Sequence, residues 1–211
     1  MLPGRPDNAP ERFPGRSDAL AYWLYAYNAY VIFSVLDHWP LASVTAVKAP
    51  IEAVTGLGFF YRQRFLFGGR PLSLYAVEQR KILDTYKDPR VHFVLNCASE
   101  SCPVLRPELP TGDKLERMLA ESTTDFLNDP RNVRVDSGQK RIVLSTIFKW
   151  YRGDFINDLR RRGLPTRRGV VDYIAAAASP ALRSALQEAD GYEVRFEDYD
   201  WSLNSVAVPA H

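Results

Sequence analysis

Residues 19–36, ALAYWLYAYNAYVIFSVL, run for eighteen positions without a charged side chain. By length the run sits at the lower edge of a membrane span, which takes about 20 apolar residues. Its composition points elsewhere. Tyr22, Tyr25, Tyr27 and Tyr30 are spread through the stretch together with Asn28, whereas membrane helices gather Tyr at their two interfaces. The run therefore reads as a buried core helix, with Asp18 as N-cap and Pro40 ending the segment. No membrane span is expected.

Working outward, the rest of the chain is globular in composition. It has 211 residues, 46% hydrophobic and 25% charged, the size of one domain with enough surface to bury that neither disulfide nor metal is required for folding. Lys plus Arg number 27 against 25 Asp plus Glu, a net charge of +2. That is too little for a binder that neutralises nucleic-acid phosphates, so no nucleic acid is expected. Two Cys and three His are too few for a four-ligand zinc site built from separate pairs. The start, 1–18, holds four of the fifteen Pro and no apolar period. It reads as an extended N-terminal arm. No secretory signal pattern is evident in it. The compartment stays open: exported to the periplasm if the chain is a trimmed mature form, cytoplasmic otherwise.

The remaining elements follow from turns and periodicity. Phe65 to Phe67 reads as a short strand before the turn GGRP, and Ser73 as the cap of a helix reaching Leu83. Val91 to Asn96, nearly continuous in apolar character, reads as a central strand. Asp113 with Glu116 resembles a capping box before a helix carrying Leu115, Met118, Leu119, Phe126 and Leu127. Val133–Asp136 and 141–145 make a hairpin. Ser145 caps a helix through Leu159, closed by Gly163. Helices at 169–178 and 181–189 and a strand at 192–196 complete the order, and the tail VAVPAH reads as frayed. The expected fold is α+β: one domain over 19–204, with helices packed around a mostly antiparallel sheet, and a frayed tail at 205–211.

The strongest chemical signal is HFVLNCASESCP, residues 92–103. A Cys leaving a buried strand is well placed to act as a nucleophile, provided a base makes it a thiolate. His92 is the candidate base. An ideal strand, however, holds His92 and Cys97 about 16 Å apart and on opposite faces, so a direct pair needs a bulge near Asn96. Cys97 reads equally as a small buried hydrophobe or as one half of a disulfide with Cys102. Glu78, in LSLYAVEQRKIL, needs a partner if it faces inward, and His92 or an Arg fits that need. Lys149 stands beside Trp150 and Tyr151, and Trp201 and Asn204 close the polar segment DYDWSLN. Phosphate loops, HExxH, GxSxG and dinucleotide fingerprints are absent from the sequence.

Taken together, AYWLYAYNAY, LSLYAVEQRKIL, DPRVHFVLNCASESCPVLRP, FLNDPRNVRVD, LSTIFKWYRGDF and YDWSLN resemble domain-of-unknown-function family 547 from about Ala19 to Asn204. The family occurs in bacteria, often in exported proteins, and in plants and animals. The resemblance places a polar signature on Asn28, Glu78, His92, Cys97, Lys149, Trp150, Trp201 and Asn204, and leaves the activity open. Many relatives carry a His directly after the Glu, where this chain has Gln79. Some replace the second Cys, here Cys102, by Ser. This implies that Cys97 is the more important thiol and that a disulfide is not obligatory.

The functional expectation is a cysteine-dependent hydrolase or acyl-transferase. Cys97 is its nucleophile, His92 its base and Glu78 the group orienting His92, with Asn28 or Asn96 donating to the oxyanion. The rival is a non-catalytic module binding a small molecule, peptide or partner, in which the same residues form a buried polar network. A metal site on His92, Glu78 and Cys97 is a third reading. No cofactor or metal is assigned.

Overall fold

A computed structural model describes residues 4–51 and 53–205. The tail read as frayed lies, at 206–211, outside the described residues. The chain divides into two compact units. Of the described residues, one is built from 4–51, 53–85, 95–115 and 200–205, the other from 86–94 and 116–199.

The first unit is organised on helix α1, Arg16–Asp37. It starts ahead of the expected cap. Asp18 lies in its first turn and its carboxylate accepts the Gly15 N–H at 3.0 Å, so a side chain inside the helix satisfies the donor outside it. Among the described residues α1 is the one helix long and apolar enough to cross a membrane, and 56% of its apolar window is buried inside the protein. Trp23, Leu24, Tyr27 and Val31 face inward, while Ile32, Phe33 and Leu36 remain exposed. The aromatic excess is packing: Tyr30 meets Phe65 and Phe67 at 4.9 and 4.7 Å between ring centroids. Those two rings belong to β1, Phe65–Phe67, which pairs antiparallel with β2, Arg70–Leu72, across the predicted Gly68-Gly69 turn. Tyr30 also donates from its hydroxyl to the Leu66 carbonyl at 2.6 Å.

The segment expected to be an extended arm is tied to this hairpin from Arg5 onward. The buried Arg5 guanidinium donates to the Phe67 and Gly68 carbonyls at 3.3 and 3.2 Å. Asp7 pairs with Lys81 at 2.5 Å, and Lys81 lies 5.8 Å from the centre of the Trp23 ring, close enough for a cation–π attraction.

Ser73 caps the next helix as expected, accepting from the Ala76 N–H at 3.1 Å. The helix is wound in three stretches: α2, Leu74–Ala76; a π-helical turn, Val77–Leu83; and α3, Asp84–Tyr86. A second π-helical turn, Leu57–Arg62, begins beside a close backbone approach. A Cβ on Gly58 would stand 2.1 Å from the Val47 carbonyl oxygen.

The second unit carries α4, Leu115–Asn128, then the hairpin β3, Val133–Asp136, and β4, Arg141–Leu144. There follow α5, Ile147–Trp150; α6, Arg152–Arg161; α7, Val170–Ala177; α8, Pro180–Glu188; and β5, Glu193–Phe196. The α+β class holds, but the sheets are small. The three-stranded one runs β3-β4-β5 with β3 antiparallel and β5 parallel to β4. The mostly antiparallel sheet expected from sequence is therefore a mixed one here, because the α5–α8 helices intervene between β4 and β5 and return the chain in the same direction. Phe93, Phe126, Phe148, Phe155 and Tyr173 fill the core beneath it.

The expected central strand at 91–96 is absent. Pro89–Phe93 form a 3₁₀ turn, started by Asp88, whose side chain accepts the Arg90 N–H at 3.0 Å. The single helix expected from Ser145 to Leu159 breaks at Tyr151 into α5 and α6. Its stop is as read. Gly163 donates to the Arg160 carbonyl and Leu164 to that of Leu159, at 3.1 and 2.9 Å, the paired closure that a left-handed residue after a helix permits.

Candidate functional site

The polar signature is best followed within each unit. In the first, Asn28 of α1 accepts the Asn96 N–H on its side-chain oxygen at 3.0 Å. Asn96 is buried, and both ends of its amide are in use: Nδ2 donates to the Pro103 carbonyl at 2.8 Å and Oδ1 accepts the Ala98 N–H at 2.7 Å. One side chain thus staples the start of the 96–103 loop to its end. Ala98 takes a φ of 60°, a left-handed conformation that an alanine adopts only where its surroundings fix it.

Within that loop Cys97 is bridged to Cys102, with Cα atoms 6.2 Å apart. Of the alternatives for the pair, this is the disulfide. A bridged sulfur is not a thiolate, so Cys97 in this form is neither a nucleophile nor a free hydrophobe. Ser99, fully buried, places its hydroxyl 3.0 Å from the Cys97 sulfur.

The polar C-terminal segment lies across the same loop. Glu100 donates to the Ser202 carbonyl at 2.9 Å and Asn204 donates from its backbone to that of Ala98 at 3.2 Å. Ser99 and Leu203 form an antiparallel bridge. Asn204 itself is exposed, and Trp201 packs toward Phe60 with centroids 6.4 Å apart. These contacts dock the 200–204 segment on the loop.

Glu78, half-buried in the π-helical turn, accepts from the Tyr27 hydroxyl at 3.2 Å. Gln79 sits beside it, also half-buried.

In the second unit His92 is 3% exposed. Its Nε2 meets the Asp154 carboxylate at 2.9 Å. Its ring stacks on Tyr151, with centroids 3.7 Å apart and planes 25° from parallel, and Phe155 flanks it at 5.5 Å. The carboxylate that orients the imidazole at Nε2 is Asp154, from α6. The hydrolase expectation gave that role to Glu78, whose carboxylate accepts from Tyr27. Asp154 lies three residues beyond Tyr151 within LSTIFKWYRGDF, a spacing that puts both on one helical face. Lys149 is exposed, and Trp150, also exposed, packs on Tyr199 at 4.6 Å between centroids.

Among the described residues no group of three His, Cys, Asp or Glu side chains is placed to hold a metal ion. The metal reading of His92, Glu78 and Cys97 therefore has no structural counterpart.

What emerges is an α+β protein whose signature residues staple a bridged loop in one unit and a buried imidazole in the other. A protein-family model described as "Protein of unknown function, DUF547" matches residues 10–127, more than half of the chain, and the chain belongs to that family. The match takes in Asn28, Glu78, His92 and Cys97; Lys149, Trp150, Trp201 and Asn204 lie beyond it. No curated protein and no solved structure matches.

Proposed function

We propose that this chain is a non-catalytic binding module of an oxidising compartment, in which the polar signature holds the fold that presents the binding surface. The observation that carries this reading is the Cys97–Cys102 bridge. A hydrolase of the Cys-His type needs a thiolate within reach of a base, and a sulfur in a disulfide supplies none. Bridges of this kind persist in secreted and periplasmic proteins and are rare in the reducing cytosol. The buried, stacked imidazole of His92 fits the same reading, because it offers no open ring face to a substrate.

The test is iodoacetamide labelling of the native chain with and without reductant, read by intact mass, alongside an ester-hydrolysis assay. The expected result is no label before reduction, two labels after reduction and unfolding, and no ester turnover above that of a Cys97→Ser variant. A single fast label at Cys97 in the native chain, slowed by His92→Ala, would restore the cysteine-hydrolase reading.

A further inference from the structure

We propose that the cleft of the second unit between α4, α6 and α7 binds a small organic anion, with its negative headgroup held by Lys87, Arg161, Arg162 and the Tyr173 hydroxyl. The proposal rests on the binding-module reading and names the ligand class that such a module would take.

The cleft has a volume of about 530 Å³, within the range of small-molecule sites. All of its walls come from 86–94 and 116–199. Its charge balance is uneven. Lys87, Arg90, Arg161 and Arg162 line it against two carboxylates, Asp88 and Asp158. Those carboxylates are already committed. Asp88 pairs with Arg90 at 2.7 Å, and Arg90 pairs again with Glu116 at 2.5 Å. Asp158 is shared by Arg161 at 3.1 Å and Arg162 at 3.2 Å. One carboxylate between two guanidinium groups leaves positive charge over, and the Lys87 ammonium has no ion-pair partner among the described residues. The Lys87 backbone is nonetheless fixed: its carbonyl accepts from Arg161 at 2.5 Å. The two guanidinium groups are therefore held before any ligand arrives, which lowers the ordering cost of binding.

Tyr173 supplies the second, independent observation. It is 2% exposed, and its hydroxyl makes no hydrogen bond among the described residues without being sealed from solvent. A hydroxyl open to the cleft is free to donate to a ligand there. Burial, then the charges of Asp158 and Asp88, raise the Tyr173 pKa, against the opposing pull of Arg90 and Arg162. All four of those charged groups line the cleft, which places the hydroxyl at its wall. The phenol keeps its proton and is a donor, as an anion requires. Ala120, Ala176 and Ala177 line the same cleft with methyl groups, leaving room for an apolar body behind the headgroup.

The experiment is calorimetric titration of the full chain with phenyl phosphate, benzoate and inorganic phosphate, at low and physiological salt. Saturable binding is expected, with phenyl phosphate or benzoate tighter than inorganic phosphate; which of the two wins identifies the headgroup. Salt should weaken the binding. Tyr173→Phe is expected to weaken it about tenfold, the loss of one hydrogen bond to a charged group, while the thermal midpoint of the free protein stays level or rises. Lys87→Gln should weaken binding by a similar factor and flatten its salt dependence. Three outcomes overturn the proposal: no saturable binding of any probe at millimolar concentration, affinities untouched by both substitutions, or a lowered midpoint in unliganded Tyr173→Phe, which would make the hydroxyl structural. A reactive Cys97 would overturn the non-catalytic reading and leave these affinities where they are, so the two failures are distinguishable.

Discussion

His92 is held as a core side chain, with an aromatic face against it and a carboxylate at its edge. Truncating it to Ala deletes a buried ring between Tyr151 and Phe155, and removal of a buried aromatic ring costs roughly 3–5 kcal/mol, the smaller imidazole falling at about 2–4. His92→Phe keeps the volume and the stack. It gives up the hydrogen bond to Asp154, but that carboxylate is 42% exposed and regains water, so the expected cost is under about 1.5 kcal/mol. Urea midpoints of the two variants check the order. A His92→Phe as damaging as His92→Ala would show that the Asp154 hydrogen bond, and not packing, is what the residue supplies. The burial of His92 was legible in its apolar surroundings. Its partner was not, because Asp154 is 62 positions along the chain and local spacing carries no information at that range. Asn96 was misread for a different reason. Its amide is consumed locally by Pro103 and Ala98, so it braces the loop where sequence reasoning had made it an oxyanion donor.

Elements were legible wherever a turn or a stop had its own chemistry. The Gly68-Gly69 hairpin, the Ser73 cap, the 133–144 hairpin and the Gly163 stop all rest on residues whose local preference and tertiary role agree. The segment 91–96 failed because periodicity alone cannot separate a strand buried on both faces from a short helical turn buried all round. The Asp88-Pro89 start, a side-chain cap followed by a fixed φ, was the available cue for the 3₁₀ turn. Two glycines separate the forces at work. Gly163 has a φ of 65° and open space where a Cβ would stand, so Gly163→Ala carries only the conformational penalty, about 1–2 kcal/mol. Gly58→Ala drives a Cβ into the Val47 and Lys48 backbone, which cannot rotate away, and about 3 kcal/mol or more is expected. Thermal unfolding followed by circular dichroism should rank them in that order; equal losses would mean that the 47–48 segment yields.

At the scale of the whole molecule, the fold class and family were readable from the order of motifs, while the division into two units was not. The boundaries fall at 85/86, 94/95, 115/116 and 199/200, and none is marked by a linker composition. The Cys97–Cys102 bridge closes a loop over a sequence separation of 5, for which chain entropy gives about 2 kcal/mol; reductant is expected to lower stability by that order, read from the urea midpoint. Acid acts more broadly. Burial works to raise the pKa of Asp7, but the hydrogen bonds and charges of Lys81 and Arg5 outweigh it and hold the group below its ordinary value. Hydrogen bonding from Arg131 does the same for Asp129, and from Arg90 for Glu116. In each case the folded pKa lies below the unfolded one, so the unfolded chain takes up protons first. The stability these pairs contribute is complete above the ordinary carboxylate range, about pH 4, and is lost as pH falls through it toward the depressed native values. Asp7 belongs to one unit and Asp129 and Glu116 to the other, so both should weaken together. Glu116, 78% exposed, is well screened and contributes least. Urea midpoints at pH 7 and 3 are expected to fall with acid, and Asp7→Asn and Asp129→Asn should each remove part of that fall while lowering the midpoint at pH 7. Midpoints that do not change down to pH 3, or variants that leave the acid slope intact, would show that these ion pairs are too well solvated to matter.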